Sequence, residues 1–187
     1  MAGHPAEQEH GILHLIGKDR VGILQDASAF VSERGGTVEE GISHTLSTEA
    51  VVLLYISGTA EQVKLIEHDA PQFGKSLQLS TLFVRIKERD SLAQREALPL
   101  TLRISSPDLT RLLGVLTEFF NKHGLHIVAH HVYKSVVPYS QGLVTYRHKF
   151  TVLLPSEFNR KNFIAGLDQL AREADFIRDD ISLSDFY

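Results

Sequence analysis

The sequence predicts an α+β protein built from two tandem βαββαβ units with antiparallel sheets, and three observations carry that reading. Apolar residues alternate between strand and helical periodicity in the same order in each half. Asp19 and Asp108 lie 89 residues apart, and so do Gly35 and Gly124, so one spacing relates a strand-to-helix turn and a helix stop in both halves. A polar stretch, Lys87–Glu96, stands between two apolar runs. The expected organisation is a polar tail over 1–10, a first unit over 11–87, a linker over 88–97 and a second unit over 98–187.

In the first half, Ile12–Ile16 is a short apolar strand. A helix begins near Arg20, with Ile23, Ala27, Phe30 and Val31 on one stripe, and Gly35-Gly36 stops it. Thr37–Leu46 and Ala50–Ser57 form a hairpin. Thr59, with Gln62 three residues on, opens a second helix as a capping box. Pro71 is expected to end that helix, and Leu77–Ile86 is the fourth strand.

The second half repeats the order. Leu100–Ile104 is a strand, and a helix carries Leu109, Leu112, Leu113, Leu116, Phe119 and Phe120 up to Gly124. His126–Val136 and Leu143–Leu154 pair around Pro138–Gly142. Ser156 caps a helix with Phe163, Leu167 and Leu170, and Ile177–Phe186 closes the unit. Each unit would lay two helices on one face of its sheet and leave the other face, or the edges, for a partner.

Composition narrows the function. The 187 residues are 43% hydrophobic and 22% charged, which excludes a disordered, collagen-like or coiled-coil chain. No window is apolar enough to span a membrane, and the first ten residues lack the apolar core of a signal peptide. Cysteine is absent, removing disulfides, thiolate metal sites and a cysteine nucleophile; a cytoplasmic location is expected. A formal net charge of −4 argues against direct nucleic-acid binding.

The strongest local signal is Ile16-Gly-Lys-Asp-Arg-Val-Gly-Ile23, between the first strand and the first helix. Gly17 and Gly22 would let a ligand approach the backbone, and the helix N-terminus favours a carboxylate or phosphate. Asp19 could cap the helix or accept a ligand ammonium group. An amino acid carries both charges and suits such a loop. Read blandly, the same residues are a cap and two turn glycines.

Gly17-Lys-Asp-Arg-Val-Gly-Ile-Leu24, followed by Gly35-Gly-Thr-Val38 and the hairpin, resembles the opening of an ACT domain, a ferredoxin-like βαββαβ module. The resemblance covers essentially the whole chain as two copies. It is most similar to the two-domain, non-catalytic type of the glycine cleavage system transcriptional repressors. The run Val51–Gly58 with a helix after it suits that type. The resemblance implies a sensor of a small amino acid, with ligand-binding positions at Gly17, Lys18, Asp19, Arg20, Val21 and Gly22, and Thr37 at the start of the second strand. Val21 replaces the family's usual proline. In the second copy Asp108 is kept, but Leu109 stands for Arg20 and Arg111 for Gly22, so that loop is expected to differ in binding and Asp108 to be a plain N-cap.

Five histidines crowd the second half. His126 and His130 are expected on one strand face and His131 on the other, with His131 opposite His148. Without a carboxylate nearby they read as solvent-facing strand residues rather than a metal site. The clusters Arg85/Lys87/Arg89 and Arg147/His148/Lys149 read as solvated stripes.

No nucleophile elbow, phosphate loop or metal-ligand helix points to an enzyme. A related architecture is the N-terminal module of formyltetrahydrofolate deformylase, whose catalytic part would need further chain. The expectation is therefore a non-catalytic regulatory protein, without cofactor or metal, that binds a small amino acid or similar metabolite and acts through a protein partner, as an indirect regulator of transcription. It would form a homodimer. The alternative is a ligand-independent interaction or oligomerisation module.

Overall fold

The computed structural model describes residues 8–86, 98–136, 144–155 and 157–183. The tail up to residue 7, the linker 88–97, the turn Pro138–Gly142, Ser156 and the end of the last predicted strand lie outside the described residues. The chain divides into two compact units, Met1–Asp90 and Ser91–Tyr187.

The first unit runs β1 (Glu9–Lys18), α1 (Ile23–Ser32), β2 (Thr37–Leu46), β3 (Glu49–Gly58), α2 (Ala60–Leu77) and β4 (Ser80–Ile86). The second runs β5 (Pro99–Ser106), α3 (Leu109–Lys122), β6 (His126–Val136), β7 (Val144–Leu153), α4 (Arg160–Ala174) and β8 (Ile177–Leu183). Their sheets have equivalent orders, β2-β3-β1-β4 and β6-β7-β5-β8, with the described pairings antiparallel. Each is the predicted βαββαβ arrangement.

Both helices of a unit pack on one sheet face because alternate strand residues are apolar there. In the first unit Leu13, Leu15, Val52, Leu54 and Ile56 meet Ala27, Phe30, Val31 and Ile66. In the second, Leu100, Leu102, Ile104, Phe150 and Val152 meet Leu112, Leu116, Phe120, Phe163 and Leu167. Removing one such side chain from water contributes about 1.5–3 kcal/mol.

The repeat extends to irregularities. Gly35 and Gly124 both take positive φ, 76° and 67°, after the first helix of their unit. A β-bulge interrupts β2 between Val38 and Glu40 and β6 between Ile127 and Ala129, again 89 residues apart.

Several expectations are corrected. Glu9 and His10, assigned to the tail, are strand residues of β1. Pro71 does not end α2, which continues to Leu77. Proline inside a helix costs about 3 kcal/mol or more. Here Phe73, Gly74 and Leu77 beyond it pack into or against the core and hold the helix together. The predicted capping box is present, Thr59 accepting from the Gln62 N–H and Gln62 from the Thr59 N–H. In the second unit Asn159 caps α4, accepting from the Asn162 N–H at 3.0 Å, so the cap lies three residues beyond Ser156. Arg85 is no solvated stripe: it pairs with Glu9 at 2.6 Å and with Glu67 of α2 at 2.7 Å.

Candidate functional site

The loop between β1 and α1 is built by one glycine. Gly22 has φ 93°, a conformation L side chains rarely adopt, and a helix cannot pass through it. So α1 begins at Ile23, whereas α3 begins at Leu109, which the 89-residue spacing aligns with Arg20. The first unit therefore holds three more residues outside its helix, and among the described residues no side chain caps α1. The first N–H groups of a helix have no partner within it, so this end presents donors and the positive end of the dipole.

Asp19 is not the cap. Its backbone N–H donates to the Thr48 carbonyl at 2.8 Å, and its carboxylate accepts from the Thr45 hydroxyl at 2.8 Å. The loop is thereby pinned to the tip of the β2–β3 hairpin, and Asp19 remains exposed. Arg20 folds back over the helix start, pairing with Asp26 at 2.6 Å and donating to the Val21 carbonyl at 3.1 Å. Val21 is 99% exposed and contributes nothing to the core. Lys18 is exposed at the end of β1, in register with Glu49.

The two glycines have different uses. A Cβ on Gly22 would meet only Arg20 Nη1, at 3.7 Å, so the backbone there is approachable. A Cβ on Gly17 would come within 2.7 Å of Leu79 Cδ2. Gly17 thus makes room for the α2–β4 turn rather than for a ligand.

Thr37 is not beside this loop. It pairs with Ser57, while Gly17 stands at the level of Ala50. Seven residues of β3 separate the two levels, about 23 Å at strand rise. The threonines that do reach the loop are Thr45 and Thr48. Both follow from the hairpin register: a turn at Ser47-Thr48 sets Leu46 against Glu49 and Thr45 against Ala50, the residue beside Gly17.

The second unit closes the equivalent place. Asp108 is the predicted cap, its carboxylate accepting from the Arg111 N–H at 3.0 Å. Ser106, 2% exposed, accepts from the Asp108 N–H at 3.0 Å. Arg111 lies in the first turn of α3, and its backbone donor is spent on the cap.

A concavity of about 580 Å³ forms a groove between α1 and α2. Its floor is Phe30 stacked on Phe73 at 4.1 Å. Arg34 lies 4.0 Å over the Phe30 ring and pairs with Asp69 at 2.9 Å. His68 and Arg34 together hold the Asp69 carboxyl below its ordinary range.

The histidines differ from their expected places because of the β6 bulge. The cross-strand partner of His148 is Val132, and His131 faces Lys149. It is His130 that meets His148, ring nitrogens 3.2 Å apart, both against Phe150 in the second core. His126 and His130 no longer share a face, since the bulge between them reverses the alternation. His148 is 2% exposed, and burial, reinforced by the charge of His130, pulls its pKa down to about 4. Burial lowers His130 as well, with His131 adding to the effect. Among the described residues no group of three ligating side chains surrounds this pair.

The sheet faces away from the helices also differ. On the first, Ile16 (46% exposed), Ile42 (62%), Leu46 (59%) and Leu82 (58%) form an apolar surface with Val51 and Leu53. On the second, Arg103, Arg147 and Lys149 share the face with His131 and Tyr133. No described helix is long and apolar enough to cross a membrane.

No family model matches the chain. In sequence it is similar to the glycine cleavage system transcriptional repressors of Escherichia coli (strain K12) and Shigella flexneri, 24% identical over 124 residues in each case. The similarity covers 65% of this chain and 63% of each relative, so less than two thirds of the relatives' length is matched. A crystal structure provisionally described as a glycine cleavage system transcriptional repressor superposes with a TM-score of 0.70 at 20% identity, covering 95% of this chain and 96% of that one. The crystal structure of an unknown protein from Galdieria sulphuraria gives 0.76 at 20% identity, over 97% and 100%. At those identities the structures speak for the fold alone. The chain has a tandem βαββαβ fold and is similar in sequence, over 65% of its length, to glycine cleavage system transcriptional repressors.

Proposed function

We propose that this chain is a non-catalytic regulatory protein of the cytoplasm, which binds a small amino acid or similar metabolite at the β1–α1 loop and acts through a protein partner. The observation that carries the reading is the open, uncapped start of α1 beside an exposed carboxylate. A ligand carboxylate fits the free N–H groups after Gly22, and a ligand ammonium fits Asp19, whose second oxygen lies outside the Thr45 hydrogen bond. Lys18 and Arg20 add positive charge. The reading centres on Lys18, Asp19, Arg20, Val21 and Gly22, with Gly17 beside the α2–β4 turn, Thr37 at the far end of β2, and Thr45 as the residue that orients Asp19. Similarity to transcriptional repressors supports a regulatory output on transcription, and the electronegative chain favours reaching it through another protein. Self-association as a homodimer is part of the proposal.

The test is a thermal-shift screen of the full chain against the amino acids, glycine and serine included. A ligand at about 100 times its dissociation constant adds roughly 2.7 kcal/mol and raises Tm by several degrees. The expected result is such a shift for a small amino acid, lost in Gly22→Leu and in Asp19→Asn. No shift with any amino acid would overturn the sensor reading. The apolar face of the first sheet favours the second reading, a ligand-independent interaction module. On that reading partner binding is unchanged in both loop variants.

A further inference from the structure

Strand β3 has the sequence of a strand covered on both sides. Ala50-Val-Val-Leu-Leu-Tyr-Ile56 is apolar without a break, the pattern of burial on two faces. The equivalent stretch of β7, Tyr146-Arg-His-Lys-Phe-Thr-Val152, interleaves charges instead. Val52, Leu54 and Ile56 go to the core under the helices, so Val51, Leu53 and Tyr55 belong to the opposite face. There the central row across β2, β3, β1 and β4 is Ile42, Leu53, His14 and Leu82, with Val84 and Ile16 in the rows on either side. Ile42, Leu82, Val84 and Ile16 are all exposed. A contiguous apolar surface of this kind marks an interaction site on a water-soluble chain.

We propose that this face is where two copies of the chain pack, sheet on sheet, in a twofold dimer. The inference rests on the self-association included in the reading above and gives it a surface. From strand spacing and rise, the face between Glu40 and Leu46 measures about 20 by 25 Å across four strands. Two copies would cover about 1,000 Å² between them, the size at which specific interfaces begin. The mate has to be apolar as well. The outer face of the second sheet carries exposed Arg147 and Lys149, which would lose hydration against leucine and isoleucine. The same face of another copy offers apolar rows at identical spacing, and twisted sheets stack about 10 Å apart with strand directions within about 30°. The contact is isologous, so every residue in it serves in both copies. Ile42 on β2 and Leu82 on β4 lie on the two edge strands, so stacking of the faces uses the full width of the sheet.

Sedimentation of the full chain over a concentration series tests this. A reversible dimer is expected. Leu82→Lys should raise its dissociation constant about a hundredfold or more, because the charge enters the interface twice. Ile42→Lys should act alike, and Leu82→Ser should act in the same direction more mildly. Tyr133→Lys, on the outer face of the second sheet, should leave the dimer intact. The four variants should keep the far-ultraviolet spectrum of the native chain, because the replaced side chains are exposed within one copy. Undiminished dimerisation in Leu82→Lys would overturn the proposal: pairing along the free edge of β2, on the other side of the sheet from Leu82, gives that result. Equal loss of the dimer in Tyr133→Lys would overturn it as well. A native chain that stays monomeric at every concentration would overturn both this proposal and the self-association it rests on, whereas amino-acid binding is read separately by the thermal shift.

Discussion

Where His14 faces Leu53 across the first sheet, Arg103 faces Lys149 across the second; where Ile42 completes the first row, His131 completes the second. On the helix side, Val52 and Gly41 occupy the first unit's places for His148 and His130. The β1–α1 loop is opened by Gly22, while its counterpart is shut by Asp108. The strand order and both bulges survive these exchanges. The fold therefore needs only the apolar helix-side alternation and the turn glycines, and every other position has been free to specialise. One unit presents an open helix end and an apolar sheet face; the other presents a closed helix end, a basic face and a half-buried His130 stacked on the buried His148.

The largest expected break in this comparison is with pH. His148 is held neutral in the folded second unit, with a pKa of about 4 against about 6.5 unfolded. The unfolded chain binds more protons between those values, so stability is full above pH 6.5 and falls as pH drops towards 4. The loss should reach up to about 3 kcal/mol, because one pKa unit is worth about 1.4 kcal/mol. Urea melts at pH 7.5, 5.5 and 4.5 should show it, and His148→Val, which installs the first unit's residue, should flatten it. An unchanged pH slope in His148→Val would place the titrating group elsewhere.

Next in size is the backbone of the open loop. Gly22→Ala forces a Cβ into positive φ and should cost about 1–2 kcal/mol. Arg111→Gly at the equivalent place only lowers helix propensity, about 1 kcal/mol or less. Equal costs would mean that Gly22 is not confined to its observed conformation.

The smallest effect separates the two aspartates. Asp108→Ala removes a helix cap and should cost about 1 kcal/mol. Asp19→Ala removes one exposed hydrogen bond to Thr45 and should cost about half of that. Chemical denaturation of the two variants checks the order, and a reversal would give Asp19 the structural role.

Much of this architecture is legible in the sequence because its signals are local. Gly35 and Gly124 declare helix stops, Thr59 and Gln62 a helix start, and Asp108 a cap, each through contacts within a few residues. The misplaced features depend on distant parts of the chain. Pro71 is tolerated because Phe73 and Leu77 have a core to pack on. A one-residue bulge brings His130, rather than His131, to His148. Asp19 has the sequence setting of a cap, but its partner is Thr45, which only the hairpin register brings near. Thr37 stands at the far end of its strand from the loop, a placement that the hairpin register sets.

The most direct test of the account is to follow the backbone amides of both loops by nuclear magnetic resonance while titrating the amino acid that gives the largest thermal shift. The account predicts perturbations at Lys18–Gln25 with Thr45 and Thr48, and none at Ser106–Leu112. Perturbations centred on Ser106–Leu112, or none in either loop, would contradict it.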